Sequence, residues 1–253
     1  MERQGVSATV DFREEGIEGV RLLRAAGRGL RLRTVALGRP LQRPIQPSEL
    51  ATLLEVADGV GVSSQAEESY DVRRAIARAC RSRRKYFAMH ASESVRERPE
   101  TYLDPRPDLL VHLAKATPED LAEVAEAKVT VAVCPRSNAL FGRRPDLATF
   151  DRLGVRTLLG TDNAMFHSPS IWRELEFAYV TGRLARRPVR PEFLFRAAFV
   201  EPYRWLRSPD AARLDPDGPV RPIAFRLPPD DPAYQIVARA TEHLMVRSGP
   251  SRT

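Results

Sequence analysis

The feature that most constrains the fold is a regular alternation of short apolar runs with amphipathic stretches. The apolar runs begin near residues 6, 31, 58, 85, 108, 129 and 155. Consecutive runs therefore start about 21 to 27 residues apart, which is typical of repeated strand–helix units with parallel strands. Seven such units predict an α/β fold of the (β/α)-barrel type, with an open doubly wound sheet as the alternative.

The predicted strands are short apolar runs, as expected for parallel strands buried on both faces. They cover Val6–Phe12, Leu30–Leu37, Gly59–Ser63, Tyr86–His90, Asp108–Leu113, Val129–Val133 and Val155–Gly160. The predicted helices are Glu14–Ala26, Pro47–Val56, Asp71–Lys85, Thr117–Ala127, Asp146–Leu153, Ile171–Leu184 and Glu192–Phe199. The helix at Thr117 has the clearest start, since a capping threonine precedes a proline at the first helical position. After the first strand, the sequence lacks the Gly-x-Gly spacing of a dinucleotide-binding loop.

Composition and length bound the domain organisation. The chain has 253 residues, of which 43% are hydrophobic, and this suits one large α/β domain. Residues 1–208 are predicted to form the barrel domain, and residues 209–253 a linker and C-terminal tail. The segment Pro209–Pro222 is rich in proline, aspartate and glycine, as linkers are. Beyond it, Ile223–Leu227 has the pattern of a brief strand and Pro232–Leu244 that of a helix.

The charge pattern bears on partners and location. The net charge is +7, and the basic run Arg81–Lys85 is either a nucleic-acid patch or the solvated end of a helix. Nucleic-acid binding is not expected, because no aromatic residues or nucleic-acid motif accompany the run. No apolar run of 18 residues exists, so no membrane span is predicted. Cys80 and Cys134 are the only cysteines and no signal pattern opens the chain, which together predict a reducing cytoplasm.

Three candidate metal ligands stand at the ends of predicted strands. These are His90, His112 and Asp162. In a β/α barrel the carboxyl ends of the strands carry the chemistry, so residues distant in sequence are expected to converge there. Imidazole and carboxylate groups suit zinc or another divalent metal. Glu93 follows His90 by three residues, which makes it a candidate for proton transfer beside such a metal.

Other polar residues follow strands at the same predicted face. The only two asparagines of the chain, Asn138 and Asn163, lie in Cys134-Pro-Arg-Ser-Asn138 and Gly160-Thr-Asp-Asn163. Their placement suggests substrate contacts, and the same is predicted for Ser137. The alternative is turn chemistry, which favours asparagine in any case. His167 and His243 lie in loop and tail patterns and are expected to be surface histidines.

Taken together, these motifs resemble the amidohydrolase superfamily, specifically its aminohydrolase branch of deaminases and chlorohydrolase-like enzymes. The carrying motifs are His90-Ala-Ser-Glu93, Val111-His112 before Thr117-Pro-Glu-Asp120, Cys134-Pro-Arg-Ser-Asn138 and Gly160-Thr-Asp-Asn163. They occur in the order and at the spacing of that family, over about residues 4 to 208, and Gly5–Phe12 is similar to its second strand. Each motif alone is weak evidence for this family, whereas the motifs taken together are specific to it.

The resemblance implies a role for each residue. His90 is implied to be a metal ligand and Glu93 to handle protons. His112 is implied to polarise the scissile group or contact the metal, while Asp162 binds metal and acts as base toward the attacking water. Zinc is the expected metal, with iron or manganese as alternatives.

The chain departs from the family at its first strand. Relatives carry there a His-x-His pair that supplies two metal ligands, and no such pair occurs in this sequence. The expected fold is therefore a (β/α)8 barrel that lacks its first strand, with a short C-terminal remnant of a small β-domain. Either the chain is a fragment of a longer active protein, or it is a truncation with weakened catalysis. Open edges at Val6–Phe12 and Val155–Gly160 would favour self-association.

The leading functional hypothesis is a metal-dependent hydrolase of a C–N bond, a deaminase acting on a small-molecule substrate with a nucleobase-like or related ring. The alternative is an amidohydrolase-like barrel with impaired catalysis, which binds a ligand or partner without turnover. The absence of the His-x-His pair favours the alternative, whereas the retained His90, Glu93, His112 and Asp162 favour the enzyme.

Overall fold

The computed structural model describes residues 1, 4–43, 45–63, 68–207, 223–225, 227–228, 230–240 and 245–247. Its contacts divide the chain into two compact units, Met1–Ala132 and Val133–Thr253. The predicted linker Pro209–Pro222 and the predicted surface residue His243 lie outside the described residues. The predicted boundary at residue 208 therefore stays a prediction.

The first unit is built on parallel strands that pair in chain order. Its strands are β1 (Ala8–Arg13), β2 (Arg33–Gly38), β3 (Gly59–Val62), β4 (Tyr86–Ala91), β5 (Leu109–His112) and β6 (Thr130–Val133), the last residue of which belongs to the second unit. Each strand pairs with the next one, from β1 beside β2 to β5 beside β6. A doubly wound sheet reverses its strand order at a switch point. The consecutive order in this unit is instead that of a barrel-type sheet.

Helices connect the strands of the first unit. They are α1 (Gly16–Ala26), α2 (Pro47–Val56), α3 (Tyr70–Ser82), α4 (Pro99–Leu103) and α5 (Pro118–Glu126). The predicted start of α5 is confirmed, since Thr117 and Asp120 form a reciprocal capping box. The basic run Arg81–Lys85 closes α3, and its Arg81 and Lys85 side chains donate to the carbonyl oxygens of Pro105 and Ala57. This is the helix-end position that the alternative interpretation of the run predicted.

The core of the first unit lies between its strands and helices. Its largest fully buried side chains include Leu37, Leu53, Ile76, Phe87 and Leu110. Among the described strands of this unit, β1 pairs with β2 alone. Self-association through open strand edges stays a prediction.

The second unit is mainly helical. Its elements are α6 (Pro135–Leu140), α7 (Leu147–Leu153), β7 (Thr157–Leu159), α8 (Ile171–Leu184), α9 (Pro191–Phe199), α10 (Glu201–Trp205), β8 (Ile223–Phe225), α11 (Pro232–Arg239) and β9 (Met245–Arg247). The N–H of Gly160, just after β7, donates to the carbonyl of Val133 at the end of β6, 2.9 Å away. Strands β8 and β9 pair antiparallel. Helix α11 packs on α8 and α9, and Trp172 of α8 contacts the rings of Phe199 and Phe225.

The structure differs from the sequence prediction in its shortest elements. Helices α4, α6 and α10 span five or six residues, which is too short to show a helical period in the sequence. Each has proline in its first turn, where the missing N–H costs nothing. The predicted helix from Pro232 ends at Arg239 rather than at Leu244, and β9 follows. None of the described helices is long and apolar enough to cross a membrane.

Candidate active site

In the first unit, the structure brings the two predicted histidine ligands together. His90 lies near the end of β4 and His112 ends β5, and the register pairs Ala91 with His112. The ring centroids of the two histidines are 5.1 Å apart, with an interplanar angle of 38°. Convergence of strand ends, the basis of the sequence prediction, is therefore confirmed for this pair.

His90 is held by the neighbouring strands. Its Nδ1 lies 3.2 Å from the carbonyl oxygen of Val62 at the end of β3, and Phe12 of β1 meets its ring edge-on at 4.8 Å between centroids. A carbonyl oxygen can only accept a hydrogen bond, so Nδ1 carries the hydrogen. The Nε2 lone pair is then the one that can bind a metal, in the pattern usual for metal-binding histidines.

The position of Phe12 beside His90 depends on a glycine in β3. A Cβ added at Gly61 would lie 2.4 Å from Cδ1 of Phe12, well inside contact distance. Gly61→Ala is expected to displace the Phe12 ring and to cost about 1–3 kcal/mol of stability, as overpacking does. The imidazole resonances of His90 should shift in an NMR spectrum, whereas those of His167, in the other unit, should not.

The matched control for Gly61→Ala is Gly27→Ala at the end of α1. A Cβ there meets its nearest atom at 3.4 Å, an ordinary contact, and φ is −80°. Unchanged His90 resonances in Gly61→Ala would show that Phe12 does not position the imidazole.

His112 has a strained backbone. Its φ is 76°, that of the next residue, Leu113, is 47°, and that of Ser92, just after the neighbouring strand β4, is 44°. Non-glycine residues in this left-handed region cost about 1–3 kcal/mol each and cluster at functional sites. The side chain of His112 is buried, and its Nε2 lies 3.8 Å from Oε2 of the half-buried Glu93. This geometry places a carboxylate and an imidazole side by side at the strand ends.

The turn that carries Glu93 is ordered by hydrogen bonds on both sides. The N–H of Ser92 donates to Oε2 of Glu97 at 2.7 Å, and the N–H of Glu97 donates to Oγ of Ser92 at 3.0 Å. Farther along, Arg96 donates twice to the buried Asp120, at 2.8 and 2.7 Å. These hydrogen bonds from Arg96 lower the pKa of Asp120 and so keep its carboxylate charged. Glu93 is thus presented by a fixed turn.

In the second unit, the structure brings Ser137 and Asp162 together. The hydroxyl of Ser137 in α6 donates to Oδ2 of Asp162, which follows β7 with a φ of 56°. Asn138 is fully buried, and its main-chain carbonyl oxygen accepts a hydrogen bond from the main-chain N–H of Arg143 at 2.8 Å. Asn163 is exposed, and its Oδ1 accepts from the N–H of Met165 at 2.8 Å. This bond is the turn chemistry that the alternative interpretation of the asparagines proposed.

Comparison with known proteins adds a family to this geometry. No family model matches the chain. A curated relative from Methanothermobacter thermautotrophicus, provisionally named an aminohydrolase, is 34% identical over 214 residues, which cover 77% of this chain and 56% of the relative. The solved structure of an adenosine deaminase from Xanthomonas campestris with bound zinc has a TM-score of 0.75 at 16% identity, covering 96% of this chain and 64% of that one. An amidohydrolase from a Sargasso Sea environmental sample has a TM-score of 0.72 at 18% identity, with coverage of 94% and 65%.

By sequence, the chain is related to curated proteins that are provisionally named aminohydrolases. The family resemblance inferred from the motifs is confirmed, and the solved structures show that the fold is that of these barrel enzymes. The chain spans between 51% and 60% of the length of the first three curated relatives it matches.

A buried carboxylate that the sequence analysis did not single out is Glu174. It lies in the first turn of α8 with a side chain that is 0% exposed, and its Oε2 accepts from the main-chain N–H of Arg136 at 3.0 Å. Burial raises the pKa of Glu174 to about 7, against the lowering effect of Arg136 and with a further raising effect of Asp162. The signal that could have found it is a glutamate on the buried stripe of α8, beside Leu175 and in line with Ala178.

His167 departs from the expectation of a surface histidine. It is only partly exposed, and both of its ring nitrogens are buried without a hydrogen-bond partner among the described residues. Nearby in sequence, Met165 and Phe166 are exposed, and the Phe166 ring meets that of Phe141 edge-on at 5.2 Å. The loop after Asp162 therefore has an apolar aromatic surface.

The predicted ligand side chains of this chain are of the chemical types that bind a divalent metal. His90 presents Nε2 as a lone-pair donor beside a second imidazole, and Asp162 has a carboxylate oriented by a hydroxyl. Within either unit taken by itself, the described residues do not bring three His, Cys, Asp or Glu side chains together around one point. Cys80 and Cys134 are both buried and unbonded to each other.

Proposed function

We propose that this protein is a metal-dependent hydrolase of a C–N bond, acting as a deaminase on a nucleobase-like or related ring. The observation that carries the proposal is the His90–His112 pair, with Glu93 beside His112 at the ends of adjacent parallel strands. The provisional aminohydrolase name of the Methanothermobacter relative and the adenosine deaminase activity named for the structural neighbour support it.

The proposed metal ligands are His90 through Nε2, His112 and Asp162. Zinc is the proposed ion, with iron or manganese as alternatives, since imidazole and carboxylate bind all three. A bound zinc ion would lower the pKa of a water molecule toward neutrality and so supply a nucleophile. His112 would also stabilise the charge that develops on the substrate ring.

Two carboxylates divide the proton transfers of the proposed reaction. Asp162 accepts the proton of the attacking water, and the hydroxyl of Ser137 holds Asp162 in one orientation for that purpose. Glu93 delivers a proton to the nitrogen that leaves. The carbon gains oxygen and loses nitrogen, so that ammonia is released and no oxidant or reductant is needed.

The proposed substrate is a small molecule with an aromatic or related ring. Ser137, Asn138 and Asn163 are the proposed polar contacts, in the segments that follow β6 and β7. The apolar pair Phe141 and Phe166 supports a ring-containing substrate, because aromatic side chains bind flat rings by stacking and edge contacts. The predicted cytoplasmic location is kept as part of the proposal.

The test combines zinc retention with ammonia release. Zinc affinity is measured by competition with a chromogenic chelator, and ammonia is followed during incubation with aminated purines, pyrimidines and triazines. His90→Ala is expected to abolish zinc retention, because it removes an imidazole ligand. His167→Ala, which changes a histidine outside the proposed ligands, is the control and should retain zinc like the parent chain.

The outcomes separate the two functional hypotheses. Equal zinc retention by His90→Ala and the parent chain would remove His90 from the metal site and with it the proposed function. A ring ligand that binds tightly to the zinc-loaded chain without any release of ammonia would favour the alternative, a barrel that binds without turnover.

A further inference from the structure

A buried carboxylate of α8 contacts Arg136, the residue that precedes Ser137 in α6. The side chain of Glu174 is 0% exposed, and that of Arg136 is 16% exposed. Oε2 of Glu174 accepts from the main-chain N–H of Arg136 at 3.0 Å, and Oε1 lies 3.5 Å from Nη1 of the same residue. Glu174 therefore contacts Arg136 through both its main chain and its side chain.

The hydrogen bond from the main-chain N–H of Arg136 to Glu174 lies at the start of α6. The first N–H groups of a helix have no partner inside it, and Arg136 is the second residue of α6. Glu174 accepts one of these hydrogens from another helix and so fixes the main chain immediately before Ser137. The next residue, Ser137, is 1% exposed and donates its hydroxyl hydrogen to Asp162.

The second contact reaches the loop that follows Asp162. Nη1 of Arg136, beside Glu174, donates to the carbonyl oxygen of Ser168 at 3.2 Å. Asp162 is therefore linked to Glu174 from two sides, through the Ser137 hydroxyl and through the far end of its own loop. Burying a carboxylate is costly even beside an arginine, and an apolar residue of similar size is often as stable.

We propose that Glu174 is a positioning residue that orients Asp162 through Arg136 and Ser137. Its hydrogen bond and its ion pair described above are both to Arg136, so its effect on Asp162 is transmitted through the main chain of α6. The role of Asp162 as a metal ligand and base rests on the proposed function above. The orientation of Asp162 itself does not, because it is argued from hydrogen bonds among protein groups alone.

The experiment compares Glu174→Ala and Glu174→Gln in the metal-free and zinc-loaded chain. In the metal-free chain, hydrogen exchange at the Arg136 amide should accelerate by about tenfold in Glu174→Ala, the effect of losing a hydrogen bond to a charged group. The side-chain carboxyl carbon resonance of Asp162 should move in the same variant. Glu174→Gln keeps an acceptor of the same shape, and it should restore most of both properties.

Zinc affinity gives the third readout. Glu174→Ala should weaken zinc binding roughly tenfold, the range for residues that orient metal ligands. In a Ser137→Ala background, Glu174→Ala should weaken zinc binding by less than about threefold. The effects of two substitutions are not additive when both residues act through the same contact. The matched control is Glu176→Gln, which changes an exposed glutamate of the same helix and should alter none of the three properties.

Each outcome decides the proposal. An unmoved Asp162 resonance in folded Glu174→Ala, or an undiminished tenfold loss of zinc affinity in the Ser137→Ala background, would overturn the positioning role. If Glu174→Ala does not fold, Glu174→Gln combined with Arg136→Met tests the same link, and an unmoved Asp162 resonance overturns it. A parent chain that binds no zinc would refute the proposed function, while the Asp162 resonance would still decide the role of Glu174.

Discussion

Glu93→Gln is expected to retain zinc and to lower the turnover number by about two to four orders of magnitude, the range for a lost general acid or base. Oε2 of Glu93 lies 3.8 Å from Nε2 of His112, and the turn around it is held by the Ser92–Glu97 hydrogen bonds. Glutamine keeps the shape of the side chain and removes the carboxyl group that can give up and take up a proton. Turnover is measured as ammonia release at saturating substrate, and zinc content by metal analysis.

The control for this variant is Glu126→Gln at the end of α5, an exposed position away from the strand ends. It should leave turnover and zinc content at the values of the parent chain. Unchanged turnover in Glu93→Gln would exclude Glu93 from the chemical step. Loss of zinc in that variant would instead identify Glu93 as a group that supports the metal site.

Glu174→Gln is expected to remove a pH-dependent loss of stability from the metal-free chain. The pKa of Glu174 is about 7 in the folded chain and near 4.5 when unfolded, because burial disfavours the charged carboxylate. Because the pKa of Glu174 is higher in the folded than in the unfolded chain, the contribution of this residue to the free energy of unfolding is fully present below pH 4.5. That contribution is lost as the pH rises through 7. Arg136 opposes this loss and Asp162 adds to it, as the two charged groups that act on Glu174.

The size of the effect follows from the pKa difference. Each pKa unit corresponds to about 1.4 kcal/mol, so the free energy of unfolding of Glu174→Gln should gain up to roughly 3 kcal/mol on the parent between pH 4.5 and 8. Urea unfolding at several pH values measures this difference. Glu176→Gln, with an exposed glutamate, should show no such trend. A constant difference across this range for Glu174→Gln would show that Glu174 does not change its protonation there.

The sequence predicted the placement of His90 and His112 at neighbouring strand ends because the signals are local. His90 and His112 each end a short apolar run, and parallel strands that follow one another place such ends side by side. The same reasoning predicted the start of α5 from Thr117 and Pro118, since capping depends on residues within one turn. The same reasoning did not predict short helices that begin with proline, such as α6, because six residues contain too little of a helical period.

What the sequence by itself determined is the βα period, the family, and the placement of His90, Glu93, His112 and Asp162 after strands. These follow from residues close together in the chain and from their order. Only the tertiary structure decided the hydrogen-bonded nitrogen of His90, the positive φ of His112 and the burial of Glu174. Each depends on a contact or a chain path set by residues far away in sequence, such as Val62 for His90, 28 positions earlier, and Arg136 for Glu174, 38 positions earlier. A carboxylate that looks like a surface charge in a helix pattern becomes a buried group with a raised pKa once a neighbouring helix covers it, because water is then excluded from its charge.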